Sequence, residues 1–222
     1  MLILCSYFYY LCSVQLQKRY SDTLTYNQVQ KLGNTAVFFA KNILDLNKTK
    51  LLKLVYLCEE LFVKKYASPF LGLPFYAWKF GPVQKELYIN IDPSLISEEA
   101  PEHPSLLADY IATRKAGNSY QVIALKEFND DDFSDDEISI MNHIAQTYKN
   151  HGGSMLVSLT HKDTSLWYRT VIKEAGLLER FEKQIQSASD LTLDFADLLD
   201  DEDAKNFYYS QLEMLEFSNS LK

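Results

Sequence analysis

The chain has 222 residues, of which 47% are hydrophobic, 14% aromatic and 23% charged, with 7 Gly and 6 Pro. That is enough apolar material to bury a core without disulfides or metals, and the composition excludes collagen-like and wholly disordered chains. With 30 acids against 22 bases the net charge is −8, which argues against nonspecific affinity for nucleic acid or anionic lipid.

The charge is unevenly spread. Residues 187–222 hold nine acids and two bases, and Asn129 to Glu137 holds six acids and no base. The rest of the chain sums to about +5, so a mildly basic body carries an acidic loop and an acidic C-terminal segment. The cysteines Cys5, Cys12 and Cys58 have no CxxC spacing, which fits a reducing, cytoplasmic setting rather than a disulfide framework. The opening MLILCSYFYYLCSV is apolar but has no Lys or Arg before it and no Ala-x-Ala-like end. It is too short to cross a bilayer, which takes about 20 apolar residues. An N-terminal extension or a misassigned start is the first expectation for it, a degenerate export signal the second and a membrane anchor the last.

From Asn34 the pattern becomes helical. Ala36, Val37, Phe39, Ala40, Ile43 and Leu44 make an apolar stripe, with Asn34 or Thr35 as N-cap. Thr49 is the expected cap of a second helix, apolar through Leu51, Leu52, Leu54, Val55, Leu57, Cys58, Leu61 and Phe62 and ending before Ser68-Pro69. Phe70 to Phe80 reads as a loop with an extended piece from Phe75 to Phe80; Gly81 breaks the chain and Pro82 opens a helix from Val83 to about Ile91. Pro93, Pro101 and Pro104 punctuate a loop, Ser105 to Lys115 suggests a short helix, and Tyr120 to Leu125 a strand.

Ser134-Asp135-Asp136-Glu137 is a capping box, followed by Ile138, Met141, Ile144, Ala145 and Tyr148 on one face. His151-Gly152-Gly153 ends that helix, Ser154 to Leu159 forms another, and a longer one is expected from about Ser165 to Ile185. In the acidic segment Leu191, Leu193, Phe195, Leu198 and Leu199 alternate with carboxylates, and Phe207, Tyr208, Leu212, Met214, Leu215 and Phe217 follow. It reads first as a helix docked on its own domain. Its alternative is a tail that folds on a basic partner surface, with Phe195, Leu198, Leu199, Leu212 and Phe217 buried there. The fold class is mainly α: a compact helical domain with a small β element and an acidic C-terminal extension.

The sequence contains no GxGxxG, GxxxxGK[ST], HExxH or GxSxG pattern, so dinucleotide, P-loop, zincin and hydrolase-elbow chemistry have no anchor. His103, His143, His151 and His161 show no metal-ligand spacing. Cys58 with His161 could pair as nucleophile and base, but Cys58 sits in the most apolar part of a helix, where a thiol is unreactive. No catalytic, metal or cofactor-binding residue is assigned.

Three motifs remain: Asn47-Lys48-Thr49-Lys50-Leu51-Leu52-Lys53-Leu54-Val55-Tyr56, then Ala77-Trp78-Lys79-Phe80-Gly81-Pro82-Val83 with Tyr88, then Leu156-Val157-Ser158-Leu159-Thr160-His161 leading to Trp167. In this order the chain resembles the Panacea domain, the SocA-like antitoxin family of bacteria and phages, over roughly Asn34 to Thr170. The Trp-Lys-Phe-Gly-Pro-Val block is the specific part. The chain departs from the family pattern at Leu166, where a proline usually precedes the final Trp.

The resemblance implies a non-enzymatic antitoxin that binds and neutralises a protein toxin encoded nearby; one kind of relative delivers its toxin to a AAA+ protease. The competing reading is an enzyme with His161 and a carboxylate in a cleft. No appended DNA-binding module is recognised, so direct nucleic-acid contact is not expected, nor is a membrane.

Physically, Phe80 to Val83 can lock a strand-to-helix junction, and His161 can bond the last carbonyls of its helix. Lys48, Lys50 and Lys53 stand at a helix start, where the dipole disfavours cations; they are either solvated or answered by an anionic neighbour or partner. The expected toxin contacts are Tyr76, Trp78, Lys79, His161 and Trp167, centred on an exposed edge of Tyr76 to Lys79. The expected divisions are an extension over 1–33, the Panacea-like domain over 34–186 and the acidic segment over 187–222.

Overall fold

The computed structural model describes residues 24–92, 106–117 and 119–220. The apolar N-terminal stretch and the loop with Pro93, Pro101 and Pro104 lie outside them. Helix α1 (Tyr26–Asn42) begins well before the expected start. Thr25 supplies the capping box, its hydroxyl accepting from the Gln28 N–H while the Gln28 side chain accepts from the Thr25 N–H. Asn34 and Thr35 are therefore buried inside the helix; the Thr35 hydroxyl is satisfied by the Lys31 carbonyl at 2.7 Å rather than by capping. Ile43 is buried past the helix end, but Leu44 points to solvent, 89% exposed.

Helix α2 (Lys48–Tyr66) is capped by Asn47, whose Oδ1 accepts from the Lys50 N–H at 2.9 Å, and not by Thr49. Phe75–Trp78 (β1) and Gly81–Gln84 (β2) pair antiparallel, with Trp78 opposite Gly81 and Phe75 opposite Gln84. The extended piece is where the sequence placed it, but Pro82 is in strand β2 and does not open the helix. Proline's fixed φ suits the start of a strand as well as a first helical turn. Helix α3 (Lys85–Ile91) is instead capped by the Gln84 side chain, which accepts from the Leu87 N–H at 2.6 Å.

Strands β3 (Ile111–Ala116) and β4 (Ser119–Ala124) form a second antiparallel hairpin, so the helix expected over Ser105 to Lys115 is not formed. Gly117, at φ 60°, opens a two-residue connection, and pairing across it buries Ile111 and Val122. The Tyr110 ring lies against α1 at Gly33, where a Cβ would come within 2.5 Å of it; glycine is what admits this approach.

Helix α4 (Asp135–Tyr148) begins at the Ser134–Glu137 capping box, with both of its hydrogen bonds made. Then come α5 (Gly153–Thr160), α6 (Leu166–Lys173) and α7 (Leu177–Glu182). The long helix expected to Ile185 is cut in two at Gly176, which adopts φ 70°. A 3-10 turn, η1 (Phe195–Leu198), precedes α8 (Glu202–Ser220). The fold is mainly α with two small antiparallel hairpins, as expected. Among the described residues no helix is long and apolar enough to cross a membrane.

Helix α2 is the centre because nearly all of its length is buried, and a helix of that kind must be surrounded. Leu51, Leu54, Val55, Tyr56 and Cys58 are fully buried, and α1, α4, α5, β2 and η1 all touch it. The acidic segment contributes to this core. Ser187 to Leu193 forms a strap along the edge of β1 opposite β2: the Ala77 N–H donates to the Leu191 carbonyl at 2.8 Å, the Leu193 N–H to the Phe75 carbonyl at 2.8 Å and the Lys79 N–H to the Ser187 carbonyl at 3.0 Å. Phe195 then packs in the core at 5.5 Å from the Phe75 ring and 5.9 Å from the Tyr56 ring, so it is not available to a partner. Helix α8 docks through buried Tyr208 and through Leu212 and Leu215, which sit over Gly72.

These two attachments predict different truncation phenotypes. Deleting residues 201–222 removes one fully buried ring, Tyr208, and should lower the thermal midpoint while keeping a single cooperative transition. Deleting residues 187–222 also strips β1 of its partner and removes Phe195 from the core, and should abolish cooperative melting by calorimetry or circular dichroism. A cooperative transition in the longer deletion would disprove the role given to the strap.

Candidate functional site

The three motifs meet at the β1–β2 hairpin. Lys53, on the second turn of α2, is buried and donates its Nζ to the Pro82 carbonyl at 2.9 Å. No carboxylate offsets the desolvation, so burial holds the amine down to about 7. Beside it Gly81 adopts φ 95°, and a Cβ there would lie 2.7 Å from Thr160 Oγ1 and 3.0 Å from Lys53 Nζ. Only glycine fits both the dihedral and the space.

Next to Gly81 the chain is clamped by aromatic groups. Trp167, buried on α6, donates its indole N–H to the Trp78 carbonyl at 2.9 Å. The His161 ring packs on Trp167 with centroids 3.9 Å apart; its Nε2 faces the Lys79 carbonyl at 2.9 Å and its Nδ1 the Val157 carbonyl at 2.7 Å. The helix-capping role expected of His161 is thus made through Val157, and a second bond reaches the hairpin. Both ring nitrogens face backbone carbonyls, so His161 lies between the end of α5 and the hairpin and ties the two together. The stack continues to Phe181, whose ring centroid lies 6.3 Å from that of Trp167.

The strap closes the other side. Trp78 donates its indole N–H to the Ser189 carbonyl at 3.2 Å and packs edge-on against Tyr88 at 4.8 Å. Ser189 Oγ donates to the Ala77 carbonyl at 2.5 Å. Lys85 places its Nζ 3.7 Å from the Tyr76 ring centroid and 2.6 Å from the exposed carboxylate of Asp190. The expected exposed edge of Tyr76 to Lys79 is consequently covered, because its backbone groups find partners in residues 187–193. Tyr76 and Trp167 are buried, whereas Trp78, Lys79 and His161 are half-buried. All five expected contact residues are nevertheless brought together around one hairpin.

Of the three lysines at the start of α2, Lys50 and Lys53 are buried and Lys48 is half-buried. Lys48 pairs with Asp92 at 2.5 Å, over the Tyr88 ring at 4.7 Å; Lys50 is buried and donates to the Lys149 carbonyl at the end of α4 at 2.7 Å. The anionic neighbour of Lys48 lies in the chain itself. Cys58 is fully buried, and burial pushes its thiol well above the usual range, as its apolar setting implied. No cluster of three His, Cys, Asp or Glu that could hold a metal occurs among the described residues. No motif marks Glu59. Glu59 is buried and holds the chain after α2, its carboxyl accepting from the Phe70 N–H at 3.0 Å and the Leu71 N–H at 2.8 Å. Burial pushes Glu59 up to about 7, opposed by those amides and by Lys31.

Two experiments probe this arrangement. Gly81→Ala forces a side chain against Thr160 and Lys53 at a dihedral that costs about 1–3 kcal/mol by itself, so it should lower stability by at least that much in urea titration. An unchanged midpoint would mean that the junction is looser than its geometry. The second concerns pH. Between 4.5 and about 7 the folded protein retains a proton on Glu59 that the unfolded chain releases, so stability falls as pH rises; between about 7 and 10.5 the unfolded chain holds a proton on Lys53 that the fold releases, so stability rises. Glu59→Gln should flatten the first limb and Lys53→Met the second. If each variant keeps the wild-type slope in its window, these groups do not titrate as assigned.

Residues 51–168 match the family model described as antitoxin SocA-like, Panacea domain. No curated protein and no solved structure matches the chain.

Proposed function

The chain belongs to the SocA-like, Panacea-domain antitoxin family, and on that premise we propose that it binds and neutralises a partner toxin encoded nearby, without chemistry of its own. The observation that carries this reading is the span of the family match, 51–168, which contains Lys53, Trp78, Lys79, Gly81, Thr160, His161 and Trp167 and so takes in the hairpin with its clamp. In this reading Trp78, Lys79 and His161 reach the toxin from their half-exposed positions, while Tyr76 and Trp167 shape the surface from beneath. The partner is a protein, and the setting is the cytoplasm.

The test is to express the adjacent reading frame with and without this chain and to score growth. The neighbour should arrest growth alone and be tolerated in coexpression; a neighbour that is harmless alone, or still lethal in coexpression, refutes the reading for this pair. Following the half-life of the toxin separates the two routes to neutralisation. It is unchanged by simple sequestration and shortened, in a manner dependent on a AAA+ protease, by delivery. Trp167→Ala should lower stability by about 3–5 kcal/mol and weaken rescue through misfolding. A Trp167→Ala protein with native stability would remove the positioning role of the ring.

A further inference from the structure

The hairpin holds an exposed aromatic side chain on an unusually constrained backbone. Phe80, at the turn between β1 and β2, is 61% exposed. Its backbone neighbours are fixed on both sides: the Trp78 carbonyl by Trp167, the Lys79 carbonyl by His161, the Lys79 N–H by the Ser187 carbonyl, and Gly81 by the close approach of Thr160 and Lys53. Folding alone gains little from fixing a ring that stays in water. Binding gains more, because a rigid aromatic ring enters a complementary pocket with little entropy left to lose.

Two further features describe what would receive it. Ile185, 71% exposed, lies two residues before Ser187, whose carbonyl accepts from the Lys79 N–H. Lys79 lays its Nζ 5.1 Å from the Phe80 ring centroid, and among the described residues it makes no ion pair. An apolar pair with an uncompensated cation at its margin calls for an apolar cleft with a carboxylate on its rim.

We infer that the hairpin apex is the anchor of the complex: Phe80, together with Ile185, inserts into an apolar cleft of the partner protein, and Lys79 pairs with a carboxylate at the mouth of that cleft. This rests on the antitoxin reading and assigns it a specific contact, on Phe80 and Ile185 rather than on the buried Tyr76 and Trp167. The clamp residues act on binding through the position of the apex.

The probe is the purified product of the adjacent reading frame, titrated against the full chain and its Phe80→Ser, Ile185→Ser and Lys79→Glu variants, with thermal midpoints measured in parallel. Because all three side chains lie at the surface, the midpoints should stay near that of the wild type. Phe80→Ser should weaken binding by about 30-fold or more, chiefly by faster dissociation. Lys79→Glu should slow association and flatten its dependence on salt. If the wild type binds and the Phe80 and Lys79 variants bind as well as it does, the apex is not the anchor while the antitoxin reading stands. If the wild type does not bind the neighbour at all, that reading fails and the anchor with it. If sedimentation shows instead that the wild type is a dimer which Phe80→Ser dissociates, the cleft belongs to a second copy of this chain and the inference is overturned.

Discussion

An amine buried without a counter-charge is the constraint around which the hairpin is built. Lys53 reaches inward from the central helix and donates to the Pro82 carbonyl. A carbonyl offers a single dipole where a carboxylate would offer a full charge, so the fold favours the neutral amine and its ordinary basicity is lost. The geometry needed to make that bond brings the Lys53 head within 3.0 Å of where a Cβ on residue 81 would stand, which leaves room for glycine alone. Glycine in turn permits the φ of 95° that turns the chain at the apex. The turn then presents the Trp78 and Lys79 carbonyls to Trp167 and His161. Helix α2, the hairpin and helices α5 and α6 are thus joined through a few buried polar groups, and disturbing any one should be felt by the others.

Strand β1 is the second organiser. With β2 on one edge and the strap on the other it is a central strand, though the ribbon it belongs to is short. A two-stranded hairpin is marginal by itself and gains stability from a third strand and from packing on a helix. Here the strap supplies both, since Leu193 and Phe195 continue from it into the core. The acidic segment therefore begins as part of the folded unit and only later becomes the more peripheral α8.

The sequence was most legible where a local rule has one outcome. The Ser134–Glu137 capping box, the apolar helix α2 and the extended run at Phe75 all formed as expected. It was less legible where one residue type serves two structures. Asn34 and Thr35 are good caps, but tertiary packing placed them inside a helix. Pro82 suits a first helical turn or a strand start, and pairing with β1 decided it. Gly117-Asn118 was a hairpin signal of the right length between alternating segments, outweighed by the helical look of Ser105 to Lys115. In the strap, Leu191, Leu193 and Phe195 alternate at the period of a strand, a signal masked by the intervening acids. The five expected contact residues could be named from their motifs, yet their placement depends on hydrogen bonds between segments over 80 residues apart, such as that from Trp167 to Trp78, which no local pattern encodes.

The uneven charge acquires a different meaning once the pairs are known. Acids of the two acidic stretches are partly answered within the chain: Glu137 by Lys31 at 2.5 Å, Asp190 by Lys85 at 2.6 Å and Asp197 by Lys173 at 2.6 Å. The bases of the body that make these pairs are correspondingly not free to attract an anionic partner. The exposed Asp190 carboxylate meets a lysine that also lies over Tyr76, so charge in the strap is paired across to the start of α3. Any long-range steering would fall to carboxylates further along, where Asp200 to Asp203 are exposed and screened within about 8 Å at physiological salt. Steering of that kind acts on the rate of encounter, whereas a desolvated ring acts on the lifetime of the complex. Steering by Asp200 to Asp203 and anchoring by the aromatic apex would thus answer to different measurements, salt dependence of association for the former and dissociation rate for the latter.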